Sequence, residues 1–144
     1  MNFIKDVYSI NFKSFTRKKE ILTPYTSPEN IPFKIKRFFI NGNIKKNSNR
    51  GDHAHKKTKQ IFICLYGKIK IRCFDGKNIK SFNLRDQRYG LYMPPTIWYE
   101  TIYQGNNNSI LVITDSKYIE KDYIRYRDDF IKFRLNYENK KNKN

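Results

Sequence analysis

Apolar and polar residues alternate along most of this chain in short runs, separated by turn residues. "FIKDVYSI" at 3–10 predicts a strand, and "FKIKRFFI" at 33–40 predicts another just past Pro32. "QIFICLYG" at 60–67 and "KIKIRCFD" at 68–75 predict a hairpin with its turn near Gly67. Asp75-Gly76 predicts the next turn. Further strands are expected at 79–84, 89–94, 97–104 and 109–115, with Pro94-Pro95 breaking the chain between the middle two. The period then changes. In "YIEKDYIRYRDDFIKFRLNYE" the spacing of Ile124, Phe130, Phe133, Leu135 and Tyr137 predicts a short helix from about Asp128. About eight evenly spaced strands and one helix predict an all-β fold: a small barrel or double-sheet jelly roll with a short C-terminal helix.

The 144 residues contain no linker, internal repeat or composition break, so one domain is expected over residues 1–138. "NKKNKN" at 139–144 reads as a disordered basic tail. Aromatic residues make up 16% of the chain, which favours a strand-built core. Cys64 and Cys73 fall inside predicted strands and read as free core thiols in a reducing compartment. No stretch reads as a signal peptide and no apolar run is long enough to cross a membrane, so the expected location is cytoplasmic. The net charge of +17 favours an anionic partner. Its lysines are scattered rather than clustered, and no helix is placed to read a groove. Steering of an anionic small molecule therefore fits better than binding to nucleic acid or a membrane.

The only two histidines, His53 and His55, lie two residues apart in "RGDHAHKK". On a strand both would face the same side. The interval from this pair to Gln60 and then to Gly67 resembles the first cupin motif. Metal-binding cupins carry a glutamate at the place of Gln60, and a further histidine just after the segment matching "GLYMPPTIW". Here that place holds Tyr99. An amide and a phenol are poor ligands for first-row metals, so no metal is expected. Without a metal, two imidazoles can still exchange protons near neutral pH. One can take a proton from carbon next to a ketone while the other polarises or protonates an oxygen. An enediolate so formed needs donors, and Arg50, Arg37, Tyr92 and Tyr99 are candidates.

Four segments together, "IPFKIKRFFI", "RGDHAHKKTKQIFICLYGKIK", "GLYMPPTIWYE" and "DSKYIEKDYIRYRDDF", resemble the sugar-nucleotide 3,4-ketoisomerases, metal-independent WxcM-like cupins. The resemblance runs from about residue 31 to 130. It implies a cupin, or double-stranded β-helix, fold and a dTDP-linked 4-keto-6-deoxyhexose as substrate. The ketone would move from C4 to C3 through an enediol, with no cofactor. It further implies a homodimer and a product aminated and acetylated into a 3-acetamido-3,6-dideoxyhexose for surface glycans. His53 and His55 match the catalytic pair, and Arg37 and Arg50 match ligand-contacting arginines.

Gln60 is expected to orient an imidazole or a sugar hydroxyl. Tyr92 and Tyr99 read as pocket donors or rim aromatics. Trp98 reads as packing or as a ring stacked on thymine or sugar, and Glu100 as a surface ion-pair partner or a pocket acceptor. All five join the two arginines as candidate substrate contacts. Lys56 and Lys57 are expected in solvent, where they help collect a diphosphate.

The chain departs from the family pattern at Tyr99, where many relatives have histidine, and at Phe39, where a tyrosine hydroxyl is lost. A further departure is "RKKEILTPY", where the family's N-terminal arginine falls on no clear match, with Arg17 or Lys19 as substitutes. Other readings are a dTDP-sugar epimerase, a non-catalytic sugar-nucleotide-binding cupin and a basic nucleic-acid binder.

Overall fold

A computed structural model describes residues 1–141. In chain order the strands are β1 (Tyr8–Asn11), β2 (Phe15–Arg17), β3 (Glu20–Leu22), β4 (Arg37–Lys45), β5 (Asn49–His55), β6 (Gln60–Tyr66), β7 (Ile69–Phe74), β8 (Ile79–Leu84), β9 (Tyr89–Met93), β10 (Trp98–Tyr103), β11 (Asn107–Thr114) and β12 (Tyr123–Ile124). One helix, α1 (Arg127–Lys141), follows. Two five-stranded antiparallel sheets face each other, in the orders β1-β9-β6-β11-β4 and β12-β5-β10-β7-β8. From β4 to β7, and again from β8 to β11, each connection carries the chain to the opposite sheet. This is the expected jelly roll of cupin type. No helix among the described residues is long and apolar enough to cross a membrane.

The expected hairpin of residues 60–75 does not form. β6 lies in the first sheet and β7 in the second, so Gly67 turns a corner of the roll rather than a hairpin. The reason is burial on both faces of β6, where every residue from Gln60 to Cys64 is buried. Phe62 and Cys64 point between the sheets, among Ile71, Leu91, Ile110 and Val112. Ile61 and Ile63 point outward, beneath Phe12, Ile31, Phe33 and Ile113. A two-sided strand reads as a continuous apolar run, which carries no information about its partner. The β7–β8 hairpin does form across Asp75-Gly76.

Other boundaries shift for local reasons. At 3–10 only Tyr8–Asn11 is strand, because Ile4–Asp6 forms a 3-10 turn. Asp6 accepts the Phe3 amide at 2.8 Å, and Asp75 accepts the Ile4 amide at 3.0 Å. The 33–40 strand starts only at Arg37, because Ile31 and Phe33 are used to cover the outer face of the first sheet. The helix covers the second sheet. Phe130 is fully buried among Ala54, Trp98 and Ile124, and burying such a ring stabilises by about 1.5–3 kcal/mol. Arg134, itself buried, donates to the Thr96 and Asn2 carbonyls at 2.8 and 2.9 Å. The helix runs on to Lys141, so residues 139–141 are helical rather than a disordered tail, and 142–144 lie outside the described residues.

Cys64 and Cys73 are free and buried, as expected. Burial pushes their thiols up to about 11 and about 12, which makes poor nucleophiles of both.

The Gly67 corner is fixed by Asn108, which is fully buried. Its side-chain oxygen accepts the Lys68 and Gly105 amides at 3.1 and 3.0 Å, and its amide donates to the Ile44 and Gly105 carbonyls at 2.9 and 2.7 Å. Gly67 has φ +87°, and a Cβ there would meet Asn108 at 2.4 Å. Asn108→Ala strands several buried backbone groups, so we expect it to lower unfolding free energy by about 3 kcal/mol. Urea unfolding with an unchanged m-value measures this, and a wild-type midpoint contradicts it.

Candidate active site

The site begins with an irregularity in β5. Its pairing with β10 runs Ala54 to Trp98 and His53 to Tyr99, then skips a residue, so that Gly51 meets Glu100 and Arg50 meets Thr101. Asp52 is the unpaired residue of a β-bulge. Gly51 takes φ +90° and Asp52 φ +48°. Arg50 stands three residues before His53, and strict alternation would put the two on opposite faces. The extra residue brings Arg50 onto the inner face with His53 and Thr101, and all three line one cavity. Gly51 is needed at the bulge. A Cβ there would lie 3.2 Å from Tyr99 ring carbons and 3.1 Å from the Tyr99 carbonyl oxygen.

The bulge also fixes the state of His53. Its Nδ1 lies 2.7 Å from the Gly51 carbonyl, which can only accept, so Nδ1 carries the proton. Nε2 then holds the lone pair, and the Tyr99 hydroxyl donates to it at 2.8 Å. His55 is fixed from another direction. Its Nδ1 donates to Asp122 at 2.9 Å. Asp122 also accepts from the Thr58 hydroxyl at 2.6 Å and the Lys57 amide at 2.8 Å. His55 Nε2 is buried and has no hydrogen-bond partner. The two imidazole centroids are 5.1 Å apart.

The two rings differ electrostatically. Burial pushes the His53 pKa down to about 4, helped by His55 and Arg125 and opposed by the Gly51 carbonyl. Burial also lowers that of His55, but there the Asp122 carboxylate resists the shift. For Asp122 burial acts upward, yet the hydrogen bonds from Thr58, His55 and Lys57 outweigh it and hold the carboxyl below its ordinary value. Burial raises the Tyr99 phenol, which stays a donor at any working pH.

The cavity beside the histidines holds about 200 Å³ and is lined by His53, Arg50, Gln60, Tyr99, Thr101 and Tyr123, with apolar walls of Phe39, Phe62, Ile110 and Val112. Gln60 sits beside the Tyr99 hydroxyl, and its own carbonyl oxygen is buried without a partner. Arg37 starts β4 near the same mouth. Its guanidinium lies 4.8 Å from the Phe39 ring and 5.6 Å from that of Tyr118, and its Nε is buried without a partner. His53, His55, Arg37, Arg50, Gln60 and Tyr99 are therefore brought together.

Three candidates are not. Tyr92 stacks on Tyr8 at 4.8 Å and packs with Phe33 on the outer face of the first sheet. Trp98 packs against Phe130 on the outer face of the second. Glu100 shares that outer face, and pairs with Arg72 at 2.6 Å and Arg127 at 3.6 Å. Alternation explains the last two, since Tyr99, between them, points inward. Two residues that sequence reasoning missed complete the site: Asp122 and Tyr123, which follow β11 and close over the cavity. The segment "DSKYIEKDYIRYRDDF" carried part of the family resemblance, but nothing in it assigned either residue to the site. Lys56 and Lys57 are exposed, as expected. Among the described residues no group of three or more His, Cys, Asp or Glu is placed to hold a metal.

The model of the family described as FdtA, WxcM-like, C-terminal, matches residues 5–135. A curated relative from Aneurinibacillus thermoaerophilus, TDP-4-oxo-6-deoxy-alpha-D-glucose-3,4-oxoisomerase, is 36% identical over 124 residues, covering 86% of this chain and 89% of its own. Among solved structures, QdtA, a sugar 3,4-ketoisomerase from Thermoanaerobacterium thermosaccharolyticum in complex with TDP, superposes with a TM-score of 0.88 at 36% identity, over 93% of this chain and 98% of its own. A histidine-to-asparagine mutant of the same enzyme, in complex with TDP-4-keto-6-deoxyglucose, gives a TM-score of 0.86 at 36% identity, over 90% and 94% of the two chains. A match that spans nearly all of β1 to α1, joined to a histidine pair inside the roll, places the chain in the FdtA, WxcM-like C-terminal family.

Proposed function

We propose that this protein is a sugar-nucleotide 3,4-ketoisomerase acting on TDP-4-keto-6-deoxyglucose. The observation that carries the reading is the pair of neutral imidazoles 5.1 Å apart, each with its Nδ1 proton held in place. The names of the relatives supply the substrate class.

The chemistry needs no oxidant. One imidazole Nε2 takes the C3 proton, which is acidic because C4 is a ketone, and a donor returns a proton to the C4 oxygen. The resulting enediol is protonated at C4 while the C3 hydroxyl gives up its proton, leaving a ketone at C3. His53 and His55 carry these protons, Arg50 lines the cavity as a donor for the enediolate oxygens, and the Tyr99 hydroxyl can serve there once it leaves His53 Nε2. Asp122 holds His55 in one tautomer and balances its charge when it is protonated. The cavity is smaller than the roughly 300–1,000 Å³ usual for drug-sized ligands. It suits the sugar ring, and the diphosphate then falls at the rim, where Arg37, Lys56 and Lys57 favour an anion.

A metal-free mechanism is part of the proposal. Of the four imidazole nitrogens, three already have protein partners, and Gln60 stands where metal-binding cupins carry a glutamate. A homodimer is also proposed. It is supported by Phe15 and Leu22, apolar and more than half exposed on the β2–β3 hairpin. The 3-keto product suits amination and acetylation, in line with a role in surface-glycan sugars.

Incubated with TDP-4-keto-6-deoxyglucose in D2O, the protein should remove the C3 proton signal and build a 3-keto set, with the C4 couplings reporting the product face. Binding without exchange points instead to a non-catalytic sugar-nucleotide cupin. His53→Asn and His55→Asn should each cut turnover on the order of a hundredfold or more, and full activity in either rejects that histidine's role. Asp122→Asn should lower kcat on the order of tenfold or more with KM little changed, since it alters the imidazole and not the ligand contacts; steady-state kinetics decide. Dialysis against a chelator should leave the rate unchanged, and activity lost that way and restored by one metal overturns the metal-free mechanism.

A further inference from the structure

Tyr123 closes the wall of the cavity between the histidines and solvent. Its ring centroid lies 4.3 Å from that of His55 and 4.9 Å from that of His53. The Arg125 guanidinium lies 4.4 Å from the same ring, and Glu120 holds that cation through two bonds of 2.7 and 2.8 Å. Tyr118 packs beside it at 5.5 Å. One ring therefore separates both imidazoles from a charged rim, and β12 fixes it through the pairing of Tyr123 with His55.

We propose that Tyr123 is a positioning residue, whose ring keeps water from both imidazoles and holds their planes, so that the pair stays neutral and aligned. Its value to turnover rests on the ketoisomerase reading, but the contact does not. Burial is the largest influence on both histidines, and Tyr123 supplies part of it. The other groups facing them remain when the ring is removed. Within β5 these are the second imidazole and the Gly51 carbonyl. Tyr99 faces them from β10, with Gln60 of β6 beside it, and Arg37 from β4. Asp122 and Arg125 flank Tyr123 itself. Asp122 favours charge on His55, whereas Arg37 and Arg125 oppose it. Admitting water adds a further preference for the imidazolium, so both pKa values rise. A base that protonates at higher pH is lost at higher pH, so the acid limb of kcat/KM moves up.

With only two histidines in the chain, isotope-labelled imidazole NMR reports both without background. In wild type and Tyr123→Phe, both rings should titrate below the ordinary imidazole value, and above it both should be neutral with the proton on Nδ1. In Tyr123→Ala they should titrate about one unit higher or more, with the acid limb of kcat/KM moving in step. Unchanged titration in Tyr123→Ala overturns the proposal. So does a shift in Tyr123→Phe as large as that in Tyr123→Ala, which assigns the effect to the hydroxyl. If Tyr123→Ala lacks a dispersed amide spectrum, Tyr123→Thr, suited to a strand, carries the same test. Because the titration needs no substrate, it stands or falls apart from the ketoisomerase reading.

Discussion

The open end of the roll is closed by one carboxylate. Asp122 accepts from the His55 imidazole, the Thr58 hydroxyl and the Lys57 amide. Those donors lie in β5 and in the turn that leads to β6. The acceptor lies in the segment after β11. A buried carboxylate is costly unless each of its lone pairs is satisfied, so these partners are required for its burial. Once Asp122 is seated, the residue after it is delivered onto the histidine rings, and β12 is aligned along β5. The tautomer of His55, the wall of the cavity and the start of α1 all follow from that seat.

The second constraint is the bulge at Gly51-Asp52. It does for His53 what Asp122 does for His55, using a backbone carbonyl in place of a charge. The two imidazoles are equal in sequence and unequal in surroundings. One has a counter-ion, and the other has only neutral partners. That inequality suits a pair of identical groups to two different proton transfers, which the proposed isomerisation requires.

The strands with one buried face were legible in sequence because alternation encodes them, as in β7 and β8. β6 was located but its partner was not, because burial on both faces erases the alternation that would choose one. β5 was missed as a strand because "NRGDHAH" has almost no β-forming residues. Its place is set by pairing with β10 and by the site itself. The histidine pair was legible from spacing, and Gln60 and Tyr99 from their intervals. Of the two readings open for Trp98 and Glu100, packing and ion pairing hold, and substrate contact, kept for both beside Tyr99, does not. The strand was read correctly, but its period of two was not applied across the triplet. Tyr92 sits on the sheet face covered by the N-terminal segment, and no local pattern announced that cover. Asp122 and Tyr123 are joined to the histidines only by tertiary structure, some 67 residues along the chain.

That separation has a consequence for how the protein comes into being. Tyr123 reaches His55, 68 residues earlier in the chain, through the pairing of β12 with β5. β12 is the last strand in the chain, so the residues that complete the site are made after every other strand of both sheets. During synthesis, both sheets can form most of their pairings before residue 122 has left the ribosome. In such an intermediate His55 would lack Asp122, and both rings would lack the cover of Tyr123. The chain therefore acquires its shape before its chemistry, and the last short strand to dock turns a folded barrel into a working site.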